Sequence, residues 1–374
     1  MRFNVSSTTF CNRLQTISRV QSSKNALAIL DCVLFDLSGG MLTMIASDSE
    51  TTMTTVLEVT DAEGEGKFAI ESKQLINFVK EISEQPITFY IDQNTHAIEI
   101  NYQNGKYNLV GQNGYDYPVP TGIGGNTRSI SVDSQVMLGG ISRCLFATAD
   151  DELRPQMNGV YFDMTPESLT FVASDGHKLV RNRVFSVRAD EPSAFILPKK
   201  PALILKNVLP KADGDAVVSF DDRNAKIELS DYVLSCRLIE GRYPNYNSVI
   251  PTDNPFRVTV DRLAFISALR RVGVSASQST SLIKLHVDTN TLTVSAQDID
   301  FSTSAEEHIM CEYDGTSMSI GFNGPFLIDV LNSMTSNDVV LELADPSRAG
   351  VITPAESSET EDIIMLLMPM MLND

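Results

Sequence analysis

The chain has 374 residues, 43% hydrophobic and 21% charged, with a formal net charge of −19. That length exceeds what one core usually serves, so two or three domains are expected, and the acidic balance argues against nucleic acid on bulk attraction alone, because phosphates are held by Lys and Arg. No apolar run reaches the roughly 20 residues of a membrane span, and Met1-Arg2-Phe3-Asn4-Val5-Ser6 lacks the basic-then-apolar order of a signal peptide, so a cytoplasmic protein with no membrane association is expected.

In chain order, a helical segment over 8–20 opens the sequence. The strand-like run Met41-Leu42-Thr43-Met44-Ile45 follows and ends in Ala46-Ser47-Asp48. A second helix is predicted over 72–82, with Leu75, Ile76, Val79 and Ile82 at helical spacing. The alternating strand Ile87-Thr88-Phe89-Tyr90-Ile91 comes next, and Tyr117-Pro118 closes this stretch. The order then repeats. A helix over 133–147, with Asp133 as N-cap, precedes Leu169-Thr170-Phe171-Val172 and Ala173-Ser174-Asp175. A helix over 198–209 (Leu203, Ile204, Leu205, Val208, Leu209) precedes Lys226-Ile227-Glu228-Leu229 and Tyr243-Pro244. A third pass gives a helix over 261–272 with Asp261 as N-cap and Leu263, Phe265, Ile266 and Leu269 at helical spacing. Leu292-Thr293-Val294, Ala296-Gln297-Asp298, a helix over 323–334 and Met368-Pro369 complete it. Gly39-Gly40, Asn104-Gly105, Asp213-Gly214 and Asp314-Gly315 mark turns.

The three prolines are 126 and 125 residues apart, and the three aspartates 127 and 123. Two independent spacings in agreement define a threefold repeat: α+β units at 1–126, 127–252 and 253–374, each reading helix, strands, helix, strands. Gly122-Ile123-Gly124-Gly125 at the first boundary reads as linker, because a dinucleotide loop needs a strand before it and a helix after it.

Charge follows the helices. The windows 6–21, 72–83, 132–147, 198–211, 261–272 and 323–334 hold twelve basic and four acidic residues, a net +8, which leaves −27 for the rest of the chain. Solvated helix faces normally mix both signs. A basic lining within an acidic exterior suits a channel for nucleic acid, and with no base-reading motif the contact would be to phosphates. Lys199-Lys200 opens its helix with no acid beside it in sequence.

No catalytic site is expected. His96, His286 and His308 fall in runs predicted to face solvent, and Asp175-Gly176-His177 is first a turn signal. Cys11, Cys32, Cys144, Cys236 and Cys311 are odd in number and never in CxxC spacing. They read as core residues rather than disulfides or zinc ligands, and no cofactor or metal is expected. The segment 363–372 is uncharged. Its first half reads as a core strand, with Leu366 and Leu367 reaching a groove, and 368–372 reads as a Met-rich edge for varied apolar peptides.

The sequence resembles the bacterial sliding clamp family, the beta subunit of DNA polymerase III, over its whole length. The resemblance is carried by Arg154-Pro155-Gln156-Met157-Asn158-Gly159-Val160, Ser174-Asp175-Gly176-His177-Lys178-Leu179, Leu197-Pro198-Lys199-Lys200, Glu240-Gly241-Arg242-Tyr243-Pro244-Asn245-Tyr246, Ile320-Gly321-Phe322-Asn323 and Met368-Pro369-Met370. It implies three clamp domains, each with two helices packed on antiparallel sheets, in a head-to-tail homodimeric ring around double-stranded DNA. It implies no enzyme but a processivity factor that tethers the polymerase III catalytic subunit, is opened by a clamp loader and receives other proteins bearing clamp-binding peptides. The peptide groove, between the second and third domains, would comprise Met157, Ser174, Gly176, His177, Lys178, Leu179, Pro244, Val249, Asn323, Phe326, Leu366, Leu367, Met368, Pro369 and Met370. Lys24, Arg154, Lys199 and Lys200 would meet DNA. Tyr107 and Leu109 of one protomer would meet Val272 and Val274 of its partner. The sequence departs from the family where an Arg is often found (Ser248, Met371), where aromatics often follow Arg154 (Pro155, Gln156), and in a tail extended by Asn373 and Asp374.

Overall fold

The computed structural model of the chain describes every residue except Ser23, Lys24, Ala26, Val119, Pro120, Thr121, Asn373 and Asp374. The six predicted helical segments are present: α1 Ser7–Ile17, α2 Ser72–Val79, α3 Ser134–Cys144, α4 Lys199–Val208, α5 Arg262–Gly273 and α6 Gly324–Asn332. Most begin on a side chain that accepts a first-turn amide, which relieves donors no helical carbonyl can reach. Asp261 Oδ1 accepts from Ala264 N (2.6 Å), Asp133 Oδ1 from Gln135 N and Val136 N (2.9 and 3.1 Å), and Asn323 Oδ1 from Phe326 N (3.1 Å). α5 buries Phe265, Ile266, Ala268, Leu269 and Val272. Leu203 and Leu263, counted with the buried stripe from spacing, instead point outward at 51% and 61% exposure.

The repeated aspartates have a common cause. Asp48 Oδ1 accepts from the amides of Glu50 and Thr51, Asp175 Oδ1 from those of His177 and Lys178, and Asp298 Oδ1 from those of Asp300 and Phe301, at 2.7–3.2 Å. Each is an Asx turn that reverses the chain between two antiparallel strands. Asp92 and Asp221 do the same in the later half of their repeats.

The chain forms two compact units, Met1–Met137 with Leu203–Leu238, and Leu138–Ala202 with Ile239–Asp374. The first holds a five-stranded sheet ending at Gly105–Val110 and a nine-stranded sheet. Its core stacks Phe3 on Phe89 (4.8 Å between centroids) and Phe35 on Phe68 (5.1 Å). The second holds a run of twelve strands from Ser193–Pro198 to Met318–Asn323. The second repeat is shared between the units, because sheets cross the repeat boundaries. Strand Tyr232–Arg237 pairs with Thr51–Glu58 of the first repeat, and Lys178–Val184 pairs with Glu361–Leu367 of the third. All five cysteines are buried as free thiols. Burial pushes the Cys32 thiol up to about 11 and the Cys236 thiol up to about 12.

Candidate functional site

Strands Lys178–Val184 and Glu361–Leu367 run antiparallel in the register Leu179↔Leu366, Lys178↔Leu367. Side chains alternate along a strand, so Leu179 and Leu366 share one face. There they join Val172, Ile196, Tyr243, Tyr246 and Ala349 in a buried cluster. Tyr243 stacks on Tyr161 at 4.6 Å, and the Tyr246 hydroxyl donates to Asp163 Oδ2 at 2.8 Å. A cavity of about 440 Å³ opens on this cluster, with Met157, Leu179, Tyr243, Pro244, Tyr246, Val249, Leu366 and Met368 supplying most of its wall. Ser174, Gly176, Lys178, Asn245 and Arg154 complete it. A concave, mainly apolar recess with a few fixed polar groups binds small apolar side chains well.

The rim is held by the second Asx turn. Asp175 Oδ2 accepts from Lys178 Nζ at 2.5 Å, and this ammonium lies 3.7 Å from the centroid of the Phe326 ring. Burial opposes ionisation of Asp175, but the Lys178 ammonium and the amides of Lys178 and His177 outweigh it and hold the carboxyl below its usual range. Asp329 goes the other way: burial raises it, and Lys178 only partly compensates. Gly176 sits at φ +90°, and a Cβ there would come within 3.1 Å of Arg154 Nη1. Glycine thus permits both the turn and the approach of the Arg154 guanidinium, whose Nε donates to Asp151 Oδ2 at 2.8 Å.

Nine of the fifteen residues expected in the groove line this cavity. Leu367 does not, because one step along the strand turns it to the opposite face, where it is 1% exposed. Asn323 caps α6, with Nδ2 donating to Thr280 O at 3.2 Å, and Phe326 lies beneath Lys178. His177 contributes its backbone, accepting from Met368 N at 2.8 Å. The tail is less free than its sequence suggests. Met370 N donates to Gly321 O at 2.8 Å in an isolated bridge, and Met370, Met371 and Leu372 line a different cavity of about 770 Å³ beside Thr280, Leu282 and Gln297. Pro369 lies between the two cavities in sequence and lines neither. Tyr243, Asn245 and Tyr246 were absent from the expected set, although the recurring Tyr-Pro landmark pointed to the first.

Of the residues expected to meet DNA, Lys24 lies outside the described residues, and Arg154 is on the cavity rim. Lys199 Nζ lies 2.5 Å from Asp150 Oδ2, an acid 49 residues distant that local sequence does not reveal; Lys200, the next residue of α4, is half-buried. The helix cations are partly neutralised within the chain. Arg13 pairs with Asp231 (2.6 Å), Arg143 with Glu361 through two bonds (2.7 and 3.2 Å), and Arg271 with Glu307. Among the described residues, Arg19, Lys73, Lys206, Lys211 and Arg270 make no such pair and remain as exposed positive charge.

At the expected protomer contact, Gly105–Val110 is an edge strand. Tyr107 stacks on Phe78 at 4.0 Å and Leu109 is 8% exposed, whereas Val110 is 75% exposed. Val272 is in the core of its own chain at 1% exposure, and Val274, past the end of α5, is 86% exposed. No helix among the described residues is long and apolar enough to cross a membrane, and no group of three or more His, Cys, Asp or Glu among them is placed to hold a metal ion.

Three family models match the chain in order: the DNA polymerase III beta subunit N-terminal domain over residues 1–121, its central domain over 131–245 and its C-terminal domain over 247–370. The beta sliding clamp of Haemophilus influenzae is 25% identical over 370 residues, covering 98% of this chain and 99% of that one. The beta sliding clamp of Pseudomonas aeruginosa is 25% identical with the same coverage. Among solved structures, the DNA polymerase sliding clamp from Pseudomonas aeruginosa superposes with a TM-score of 0.92 at 23% identity over 100% of both chains. A sliding clamp from Bartonella birtlesii bound to griselimycin gives 0.90 at 25% identity, again over 100% of both.

Proposed function

Since the chain belongs to the DNA polymerase III beta subunit family and is a sliding clamp, a ring-forming processivity factor on duplex DNA, we propose that its apolar cavity at Leu179, Pro244, Leu366 and Met368 receives the peptides by which the polymerase and other partners are tethered. The observation that carries this reading is the cavity itself: about 440 Å³, mainly apolar in its lining, on a chain of net charge −19. A few buried anchors dominate such binding, and Leu179, Leu366 and Met368 offer them a seat. Met368, 41% exposed, can change rotamer to suit more than one peptide. His177, Asn323, Phe326, Pro369 and Met370 would act as the outer bank along which a longer peptide continues.

DNA passes through the ring without base readout, attracted by the helix cations; the exposed Arg19, Lys73, Lys206, Lys211 and Arg270 join Lys200 and Lys199, which Asp150 partly neutralises, in that role. Lys24 belongs to the same set by resemblance. Arg154 serves the groove rim as well as any DNA contact. The protomers join head to tail through sheet edges. Strand Gly105–Val110 is unpaired on one side, and residues 303–310 of strand Thr303–Glu312 pair only with Thr291–Asp298. Val110, Val274 and Met310 supply exposed apolar surface there, while Tyr107, Leu109 and Val272 support it from within. The domains divide at 126 and 252, the protein works in the cytoplasm without catalysing a reaction, and a clamp loader opens the ring.

The test is topological. Protein loaded on a nicked circular plasmid should stay bound through gel filtration and dissociate when a single-site nuclease linearises the circle. Retention on the linear form sinks the encircling role. For the groove, a labelled peptide with Leu and Phe anchors should bind the wild type and fail to bind Leu366→Asp; equal binding by both would remove the cavity from the mechanism.

A further inference from the structure

The sulfur atoms of this protein differ sharply in their access to solvent. All five thiols are buried. Of the 14 methionines, seven are buried, Met157 of the cavity wall among them, and Met1, Met318 and Met370 are half-buried. Met41, Met310, Met368 and Met371 are exposed. Of these four, only Met368 lines the apolar cavity. It also lines a neighbouring recess of about 500 Å³ beside Val249 and Ala349, so solvent reaches its side chain from two hollows. The main chain on either side is held in place. Met368 N donates to His177 O and Met370 N to Gly321 O, both at 2.8 Å. A chemical change at the Met368 sulfur is therefore presented to whatever occupies the cavity, and the backbone has no slack to withdraw it.

We propose that Met368 is an oxidation site that regulates the groove: peroxide converts its thioether to the sulfoxide, apolar peptides are then held more weakly, and reduction restores the hold. The proposal rests on the reading of this cavity as the peptide groove. In the oxidising step the sulfur lone pair attacks one peroxide oxygen. The O–O bond breaks, an S–O bond forms, the sulfur is oxidised by two electrons, and the second oxygen takes up the proton and leaves as water. The product is a polar, chiral side chain in a wall that offers apolar contact. A sulfoxide oxygen covered by a bound peptide loses its water, and that loss is costly unless a donor replaces it. Three donors of the lining are already committed. Lys178 Nζ donates to Asp175 at 2.5 Å, the Tyr246 hydroxyl to Asp163 at 2.8 Å and the Ser174 hydroxyl to Lys178 O at 2.9 Å. The unmodified thioether makes no such demand, so the groove favours its reduced form.

Fluorescence polarisation on the full-length protein tests it, with a labelled Leu-and-Phe peptide titrated before and after brief exposure to dilute hydrogen peroxide. Mass spectrometry of a digest locates the added oxygen. Met368 should be oxidised early, together with Met41, Met310 and Met371, and affinity should fall about tenfold as Met368 becomes fully modified. The triple variant Met41→Leu, Met310→Leu, Met371→Leu should keep that response. Met368→Leu is read by the ratio of its own affinities before and after peroxide, which should not change. Both methionine sulfoxide reductases, one for each epimer, should restore binding when supplied with a thiol; this arm needs no variant. Met368 left unmodified while Met310 and Met371 react, or an equal loss of affinity in Met368→Leu, overturns the proposal. So does affinity that fails to return once the oxygen is removed. If the untreated protein does not bind the peptide at all, the groove reading falls and the switch falls with it. Binding that survives full oxidation of Met368 leaves the groove in place and removes the switch alone.

Discussion

Replacing Lys178 by Met keeps most of the side-chain volume and removes the ammonium that Asp175 faces. The pair is nearly dry, with side-chain exposures of 7% for Lys178 and 17% for Asp175. Removing one partner of a buried pair leaves the other charge uncompensated, at a cost of about 3–5 kcal/mol, and the missing attraction between the ammonium and the Phe326 ring adds up to ~2 kcal/mol. For a unit of this size, that lowers the Tm of its transition by on the order of 10 °C. Asp175→Asn alone should also destabilise, because it strands the ammonium. The double variant Lys178→Met with Asp175→Asn should recover part of the loss, so that the two single effects do not add. The pH dependence has a definite sign. Asp175 is depressed in the folded protein, so its contribution is fully present above the unfolded carboxyl value of about 3.9 and is lost as pH falls through the lower folded value. Without the ammonium that carboxyl rises, so the deficit of Lys178→Met should be largest near neutrality and shrink towards pH 4. Differential scanning calorimetry of the four proteins at several pH values measures all of this. A double variant whose loss equals the sum of the singles, or a Lys178→Met deficit independent of pH, would refute the buried-pair account.

Gly321→Ala should detach the tail, because a Cβ there would meet Met370 O at 2.8 Å and Leu372 Cδ2 at 2.9 Å; hydrogen exchange at the Met370 amide should quicken while the sheet amides stay protected. Lys206→Glu with Lys211→Glu should shorten the residence of loaded protein on circular DNA and reduce the salt slope by roughly 0.9 for each phosphate no longer neutralised, with apolar-peptide affinity unchanged. Val274→Asp, at a position 86% exposed in one chain, should lower the solution mass from dimer to monomer by sedimentation without changing the circular dichroism. With all five thiols buried and those of Cys32 and Cys236 raised to about 11 and about 12, labelling by Ellman's reagent at pH 8 should be slow until denaturant is added; rapid labelling of any of them in the native protein would contradict that burial.

The repeat, the six helices and much of the lining of the apolar cavity were legible because each leaves a local signature. Asp48, Asp175 and Asp298 recur since a strand reversal wants a side-chain acceptor at its start. Leu179, Pro244 and Met368 came with the family resemblance, and their meeting in one cavity follows from strand register. What sequence hid was pairing across long separations. Asp150 approaches Lys199 across 49 residues, and Glu361 approaches Arg143 across 218, so the helix windows overstate the positive charge left for DNA. Orientation was hidden as well. Helical spacing placed Leu203 and Leu263 inward, and adjacency placed Leu367 beside Leu366, but only the three-dimensional packing decides which side each faces. The role of Arg154 at the groove rim depends on Gly176 adopting φ +90°, which a lone glycine in a sequence does not announce.

The sheets that cross repeat boundaries change what counts as a part of this molecule. The first repeat is joined to the second by residues 122–125, but also by five residue pairs between Thr51–Glu58 and Tyr232–Arg237. Seven more pairs join the second repeat to the third through Lys178–Val184. A chain cut in the linker would therefore remain zipped, as two chains sharing a sheet. An excised middle repeat would carry two bare strand edges and invite aggregation. The repeats are units of sequence, but the units of folding are the shared sheets, and each of them draws on two copies of the repeated segment.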